Sequence, residues 1–181
     1  MEDVDVRDLV TRAKSDPAAF GQLYEHYVAR IYNYHYRHTG NATESEDLTS
    51  RTFYRALRGL HSYREKPGAS FQAWLFRIAH NLVINWYRDS NRHQSVSLDS
   101  VQPLHSMLDM PHEHVEAAEE RERLLRVIAH LPEDRKTLLL LKFVERMSNL
   151  EIAAVLGRTE GAVKALYHRT LISLREMMAE G

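Results

Sequence analysis

Residues 149–169 read NLEIAAVLGRTEGAVKALYHR, and their spacing decides how the C-terminal third of the chain folds. Two helices that cross closely need a small residue at the crossing, and Ala153 supplies it. The tight turn between them needs a residue at ease with positive φ, and Gly157 stands there. Ile152 and Leu156 are placed to pack the first helix, while Val163 with Leu166 or Tyr167 anchors the second. Ser148 is positioned to cap the first helix, and Thr159 or Glu160 to open the second. This Ala-x3-Gly-x5-Val spacing is that of a helix-turn-helix. The outward side of its second helix then carries Glu160, Lys164, Ala165, His168 and Arg169. Such a helix enters a major groove N-terminal end first. Lys164 and Arg169 suit either guanine edges or phosphates, and spacing does not separate the two. Arg146, Arg158 and the helix start near Ser148 are placed for phosphate contact. A helical hairpin that binds nothing would show the same spacing, so the motif does not fix function by itself.

Working outward, the same helical period fills most of the chain. Residues 115–131 alternate a charged side with an apolar one, and Pro132 opens a further helix, EDRKTLLLLKFVER. Near the start, Asp16-Pro17 opens a helix bearing Phe20, Leu23, Tyr24, Tyr27, Ile31 and Tyr34, and Gly40-Asn41 ends it. Thr43 with Glu46 makes a capping pattern for the next helix, where Leu48, Thr52, Ala56 and Leu60 form a stripe flanked by Phe53 and Leu57. HSYREKPGAS is a loop by composition. FQAWLFRIAHNLVINWYRDSNR is a long amphipathic helix carrying Trp74, Leu75, Ile78, Leu82, Val83 and Trp86. Between these blocks the period collapses. The reading is an all-α chain of two helical domains, 1–92 and 114–181, joined by a flexible linker over 93–113. The linker's Val96, Leu98, Val101, Leu104, Met107 and Leu108 are apolar enough to meet a partner surface.

Composition narrows the function classes. The 181 residues include no cysteine, so disulfides and thiolate metal sites are excluded, and a reducing cytoplasmic setting fits. The first residues lack a basic start followed by an apolar core, so no signal peptide is expected, and no apolar run is long enough to insert in a membrane. The net charge of −1 hides a segregation. Residues 1–92 hold 13 Lys/Arg against 11 Asp/Glu, residues 93–122 hold 1 against 7, and residues 123–181 hold 10 against 7. The mild basic excess of the outer segments permits DNA contact without arguing for it. No nucleophile elbow, phosphate loop or metal-ligand set is present, so an enzyme is not expected and no cofactor is expected. His35 and His38 sit three apart on a helix, and His112 and His114 flank Glu113. Neither pair has a local third ligand, and both are expected to be solvated surface residues rather than zinc ligands. The aromatics Tyr24, Tyr27, Phe53, Trp74 and Trp86 fall at core spacing, while Trp86 and Tyr87 stay open between packing and base stacking.

Three blocks, SEDLTSRTFYRAL, FQAWLFRIAHNLVINWYRD and LPEDRKTLLLLKFVERMSNLEIAAVLGRTEGAVKALYHRTLISLRE, occur in that order. Together they resemble the extracytoplasmic-function (ECF) group of the sigma-70 family of bacterial RNA polymerase sigma factors. The resemblance implies a region 2 domain and a region 4 domain joined by a linker that threads the polymerase. Core polymerase then supplies much of the binding surface, which accounts for the small net charge.

The resemblance also implies residue roles. Asp47, Leu48, Thr49, Arg51, Thr52 and Phe53 fall on the helix that docks the clamp helices of the largest polymerase subunit. Arg51 departs from the family pattern, which has a carboxylate after a glutamine where Ser50-Arg51 stands here. Arg64, Glu65, Lys66, Pro67, Gly68 and Asn81 match the element that captures an unstacked base of the −10 element, with Arg77, Arg88 and Arg92 holding backbone. Asn85-Trp86 replaces the pattern's Asp-Tyr. Arg158, Glu160, Lys164, Ala165, His168 and Arg169 fall on −35-reading positions. Leu166 stands where many relatives have arginine, and Leu171–Ser173 is more apolar than usual, which implies fewer phosphate contacts or a larger partner-facing surface. The implied partners are core RNA polymerase, including its flap region for region 4, promoter DNA, and an anti-sigma factor. An autonomous helix-turn-helix regulator acting without polymerase is the alternative, but residues 1–92 show no strand-helix alternation of an attached sensor domain.

Overall fold

A computed structural model describes residues 5–93 and 115–180, with side chains described for 5–90 and 119–179. The expected linker and its apolar residues, His112 and His114, and the Arg92 side chain lie outside the described residues. The chain divides into two compact units. Helices α1 (Val6–Ala13), α2 (Pro17–Thr39), α3 (Ala42–Gly59) and α4 (Phe71–His93) build the first. Helices α5 (Val115–Ala129), α6 (Glu133–Leu139) and α8 (Glu160–Glu180), with the start of α7 (Asn149–Leu156), build the second. Among the described residues there is no strand, only an isolated bridge between Lys66 and Ala69.

Local chemistry sets the helix ends. Asp5 caps α1 by accepting from the Arg7 and Asp8 N–H groups. Asp16 caps α2 by accepting from the Ala18 N–H at 2.9 Å, with Pro17 at the first helical position, and Gly40 ends α2 at φ 63°. The cap of α3 is Asn41, whose side chain accepts from the Glu44 N–H at 3.1 Å, not the expected Thr43. Thr43 is already inside the helix, so its side chain is no longer placed to receive an orphan N–H.

In the first unit, α2 packs on α3 and α4. Leu23, Tyr27, Ile31 and Tyr34 of α2 are buried, as are Leu48, Phe53 and Ala56 of α3 and Leu75, Phe76, Leu82 and Val83 of α4. Each large side chain taken fully out of water contributes about 1.5–3 kcal/mol. Three expectations are corrected here. Tyr24 is 43% exposed, with an edge-on contact to Phe53 at 4.7 Å, and Leu57 is 52% exposed. His35 is not a surface residue but wholly buried. It continues the i, i+4 run Leu23–Tyr27–Ile31, and that run was the signal for its burial. Gly59, the last residue of α3, lies against the Trp74 ring, where a Cβ would come within 3.1 Å.

In the second unit the expected helix after Pro132 does not run unbroken. It ends as α6 at Leu139 and widens into a π-helical turn over Leu140–Val144, closed by the Glu145 N–H donating to the Leu140 carbonyl oxygen at 3.1 Å. Leu138, Leu139, Leu140 and Leu141 are all buried, while Phe143 in the turn is 57% exposed. Arg146 then turns the chain at φ 54°, and the Met147 N–H donates to the Leu141 carbonyl oxygen. Ile128, Leu131 and Leu139 form a core cluster with Leu124, Leu174 and Met177 against it.

Candidate nucleic-acid interface

The helix-turn-helix is fixed at three points. Ser148 and Glu151 form a reciprocal capping box at the start of α7. Gly157 adopts φ 65° and its N–H donates to the Ala153 carbonyl oxygen. Thr159 opens α8, accepting from the Ala162 N–H at 3.1 Å. Val163 and Leu166 are buried and anchor α8, and Tyr167 is half-buried. Leu166 is thus a core side chain rather than part of the outward face.

This anchoring turns Lys164, Ala165, His168 and Arg169 outward together, all exposed, with Glu160 half-buried at the helix start. Lys164 pairs with Glu160 at 2.8 Å, and the exposed Arg158 pairs with Asp134 at 3.3 Å. Both pairs lie in water and are weak, so either cation can be released to an anionic partner. Further along α8, Leu171 and Ile172 are exposed, while Ser173 accepts from the Arg135 guanidinium.

In the first unit, Tyr63 organises the loop before α4. Its ring is buried against Phe71 and Trp74, and its hydroxyl donates to the Ala69 carbonyl oxygen. Burial first, and then the Glu65 carboxylate, push the Tyr63 hydroxyl up to about 12. Lys14 and Arg64 both donate to the Tyr63 carbonyl oxygen. Glu65 pairs with Arg7 at 3.1 Å, Gly68 takes φ 73°, and Lys66 and Ala69 close the turn. Arg64, Glu65, Lys66 and Pro67 are exposed on this frame, with Gly68 half-buried.

Asn81 is exposed ten residues into α4, about 15 Å along the helix from its start at 1.5 Å per residue. It belongs to a stripe at intervals of four, three and four formed by Arg77, Asn81, Ile84 and Arg88, all exposed. Ile84, 41% exposed between the two arginines, was missed by the sequence reading because its spacing resembles that of a core position. Trp86 and Tyr87 are both bonded within the unit, Trp86 Nε1 to Glu44 at 3.0 Å and the Tyr87 hydroxyl to the His38 carbonyl oxygen at 2.7 Å.

The six residues assigned to polymerase docking separate. Asp47 and Arg51 are exposed and pair with each other at 3.4 Å. Leu48, Thr49, Thr52 and Phe53 are buried, and Thr49 and Thr52 spend their hydroxyl protons on the Ser45 and Leu48 carbonyl oxygens. Those four side chains lie inside the first unit and help to hold α3 in place, which leaves Asp47 and Arg51 as the exposed members of the set. Among the described residues no cluster of three His, Asp or Glu side chains is arranged to hold a metal ion, and no helix is long and apolar enough to cross a membrane.

Residues 23–93 match the family model of Sigma-70 region 2, and residues 121–174 match that of Sigma-70, region 4. The chain is 33% identical over 174 residues to the ECF RNA polymerase sigma factor BldN of Streptomyces coelicolor, spanning 96% of this chain but 66% of that protein's length. It is 31% identical over 159 residues to the RNA polymerase sigma factor YlaC of Bacillus subtilis, spanning 87% of this chain and 91% of that one. In fold it is similar to the sigma factor RpoE solved with the anti-sigma factor NepR from Bartonella quintana, with a TM-score of 0.66 at 21% identity over 88% of this chain and 96% of that one. The chain belongs to the ECF group of the sigma-70 family of RNA polymerase sigma factors.

Proposed function

We propose that this protein is a cytoplasmic promoter-specificity subunit that binds core RNA polymerase and directs initiation from promoters with matching −35 and −10 elements. The observation that carries this reading is the joining, in one chain, of a region 2 unit and a region 4 unit. The outer face of α8 reads the −35 element in its major groove, with Lys164, Ala165, His168 and Arg169 nearest the bases and Arg158 on phosphate. The loop 64–70 and the α4 stripe hold the unpaired −10 strand. Arg77 and Arg88 neutralise phosphates, and Asn81 offers an amide that both donates and accepts toward a base edge. Capturing an unstacked base offsets part of the few kcal/mol needed to leave the stack, which is how binding helps open DNA. The protein catalyses no reaction; the polymerase does the chemistry. An anti-sigma factor that covers these surfaces, as NepR accompanies RpoE, is the expected means of control.

The test is transcription in vitro by purified core polymerase with and without this protein, on a library of promoter fragments. Specific start sites that require the protein support the reading. Binding to DNA with no change in start-site selection would instead identify an autonomous regulator.

A further inference from the structure

Helix α1 precedes residues 23–93, the part of the chain that matches region 2, yet it reaches the loop proposed to read the −10 element. Leu9, Val10 and Ala13 are buried and fix α1 on the first unit. Arg7 and Lys14, the residue directly after α1, are about two helical turns apart and so fall on one flank. Lys14 is half-buried, and its ammonium donates to the Tyr63 carbonyl oxygen at 2.9 Å. Arg64 donates to the same oxygen at 2.8 Å and to the His61 carbonyl oxygen at 2.8 Å. A carbonyl oxygen has two lone pairs, and Lys14 and Arg64 occupy both. That oxygen belongs to the rigid peptide plane joining Tyr63 to Arg64, so the Lys14 bond fixes the plane from which the loop departs. The Tyr63 hydroxyl meanwhile holds the far end of the loop by donating to the Ala69 carbonyl oxygen at 3.2 Å. Bonds from a charged donor are stronger than neutral ones, and this one is partly shielded from water. The Arg7–Glu65 pair beside it is 79% and 39% exposed at its two side chains and is correspondingly weak.

We propose that Lys14 is a positioning residue for −10 recognition: through the Tyr63 carbonyl it sets how Arg64, Glu65 and Lys66 are presented to the unpaired strand, without touching DNA itself. The proposal rests on the −10 role of loop 64–70 and adds a residue outside region 2 that governs it. A residue that only stabilised the unit would change the amount of folded protein, and so the use of all promoters alike. A residue that aims the loop changes the ratio between promoters that differ at the captured base.

The experiment is transcription in vitro by core polymerase and the full chain, on promoters differing by single bases in the −10 or the −35 element. Lys14→Met keeps the apolar stem and removes the donor; it is expected to lower the ratio between the best and the other −10 bases by about threefold or more. Ratios among −35 variants should not move. Lys14→Arg, which keeps a charged donor, should restore most of the −10 ratio, and Arg7→Ala should change it little. Ile31→Val thins the core of the same unit and should lower stability in urea with the ratio unchanged. Lys14→Gln, a shorter and neutral donor, should give an intermediate ratio and carries the test if the methionine variant does not fold. If wild type discriminates among −10 bases and the Lys14 variants discriminate equally well, the proposal is overturned while the sigma reading stands. If Lys14→Met weakens every −10 sequence alike, Lys14 grips phosphate or only stabilises the unit, and the proposal is again overturned. An equal loss of ratio in Ile31→Val overturns it too. If wild type directs no promoter-dependent transcription, both fall.

Discussion

His35 Nε2 lies 3.0 Å from the Thr52 hydroxyl oxygen, and that hydroxyl donates its own proton to the Leu48 carbonyl oxygen at 2.8 Å. With the Thr52 proton committed, the imidazole must be the donor, which fixes the Nε2–H tautomer and leaves Nδ1 as a buried acceptor without a partner. The pair therefore joins α2 to α3 in the neutral state of His35. Protonating Nδ1 would place an uncompensated charge in the core of the first unit, and burial lowers the His35 pKa to about 3 from its ordinary 6.5.

The first unit should accordingly lose stability in acid. Between about pH 6.5 and 3 the unfolded chain binds a proton at His35 that the folded chain refuses, so stability is fully present above 6.5 and declines as pH falls through that window. Between pH 7 and pH 5 this one group accounts for roughly 2 kcal/mol. Trp74 and Trp86, the chain's two tryptophans, both lie in α4, so urea unfolding followed by tryptophan fluorescence reports on this unit. His35→Leu should shrink the difference between the two pH values. An identical pH dependence in wild type and variant would refute the assignment.

The two ends of α7 test the helix-turn-helix frame. Ser148→Ala removes one half of the capping box and should cost about 1 kcal/mol. Gly157→Ala forces a side chain into φ 65° and should cost a similar amount, about 1 kcal/mol, whereas Gly157→Asn, at ease in that region, should cost less. Hydrogen exchange over residues 145–170 is the suitable measurement, because the second unit contains no tryptophan. Equal protection in the alanine and asparagine variants would show that backbone strain at Gly157 is not the controlling factor.

Lys164→Ala and Arg169→Ala should reduce use of the −35 element without unfolding the protein. Both side chains are exposed, and Lys164→Ala gives up only a weak, water-exposed pair with Glu160 among the described residues. A good bidentate base contact contributes about 1–3 kcal/mol of discrimination, so a residue that reads a base should relax preference at one position. One that grips phosphate should weaken all sequences alike. Footprinting on single-base −35 variants separates the two roles, and unaltered selectivity in both mutants would remove α8 from −35 recognition.

How much of this was legible depended on whether a residue acted through spacing or through depth. Ala153, Gly157, Val163 and the Ser148 cap act through local spacing, and all four hold the places the sequence predicted. Arg77, Asn81 and Arg88 came from the resemblance rather than from spacing, and the exposed stripe they form with Ile84 emerges only in the structure. Depth was harder to read. The resemblance places Leu48, Thr49, Thr52 and Phe53 with Asp47 and Arg51 on a docking helix, yet successive residues of a helix point 100° apart and these four side chains are buried. The exposed side of α3 carries Tyr54, Arg55 and Arg58 beside the assigned Asp47 and Arg51. His35 failed the opposite way, since a polar side chain was expected outside although its i, i+4 run led inward. The π-helical turn at Leu140–Val144 had no local signal beyond four consecutive leucines.

Replacing loop 64–70 with that of a relative should transfer the relative's −10 preference. The loop is a suitable unit for exchange because its frame is separable from its tips. Tyr63 is held by Phe71, Trp74 and the Lys14 side chain, all outside the exchanged segment. The exposed Glu65, Lys66 and Pro67 point away from that frame and can change without emptying the core. Asn81 stands about 15 Å along α4 from the helix start, on the exposed stripe with Arg77 and Arg88. Loop exchange should change which base is preferred, and Asn81→Ala should weaken recognition of the element without transferring a new preference. Transcription from a set of single-base −10 variants, read with wild type, the exchanged loop and Asn81→Ala, resolves the two. If the −10 preference instead followed an exchange of α8, the loop would play no part in reading it.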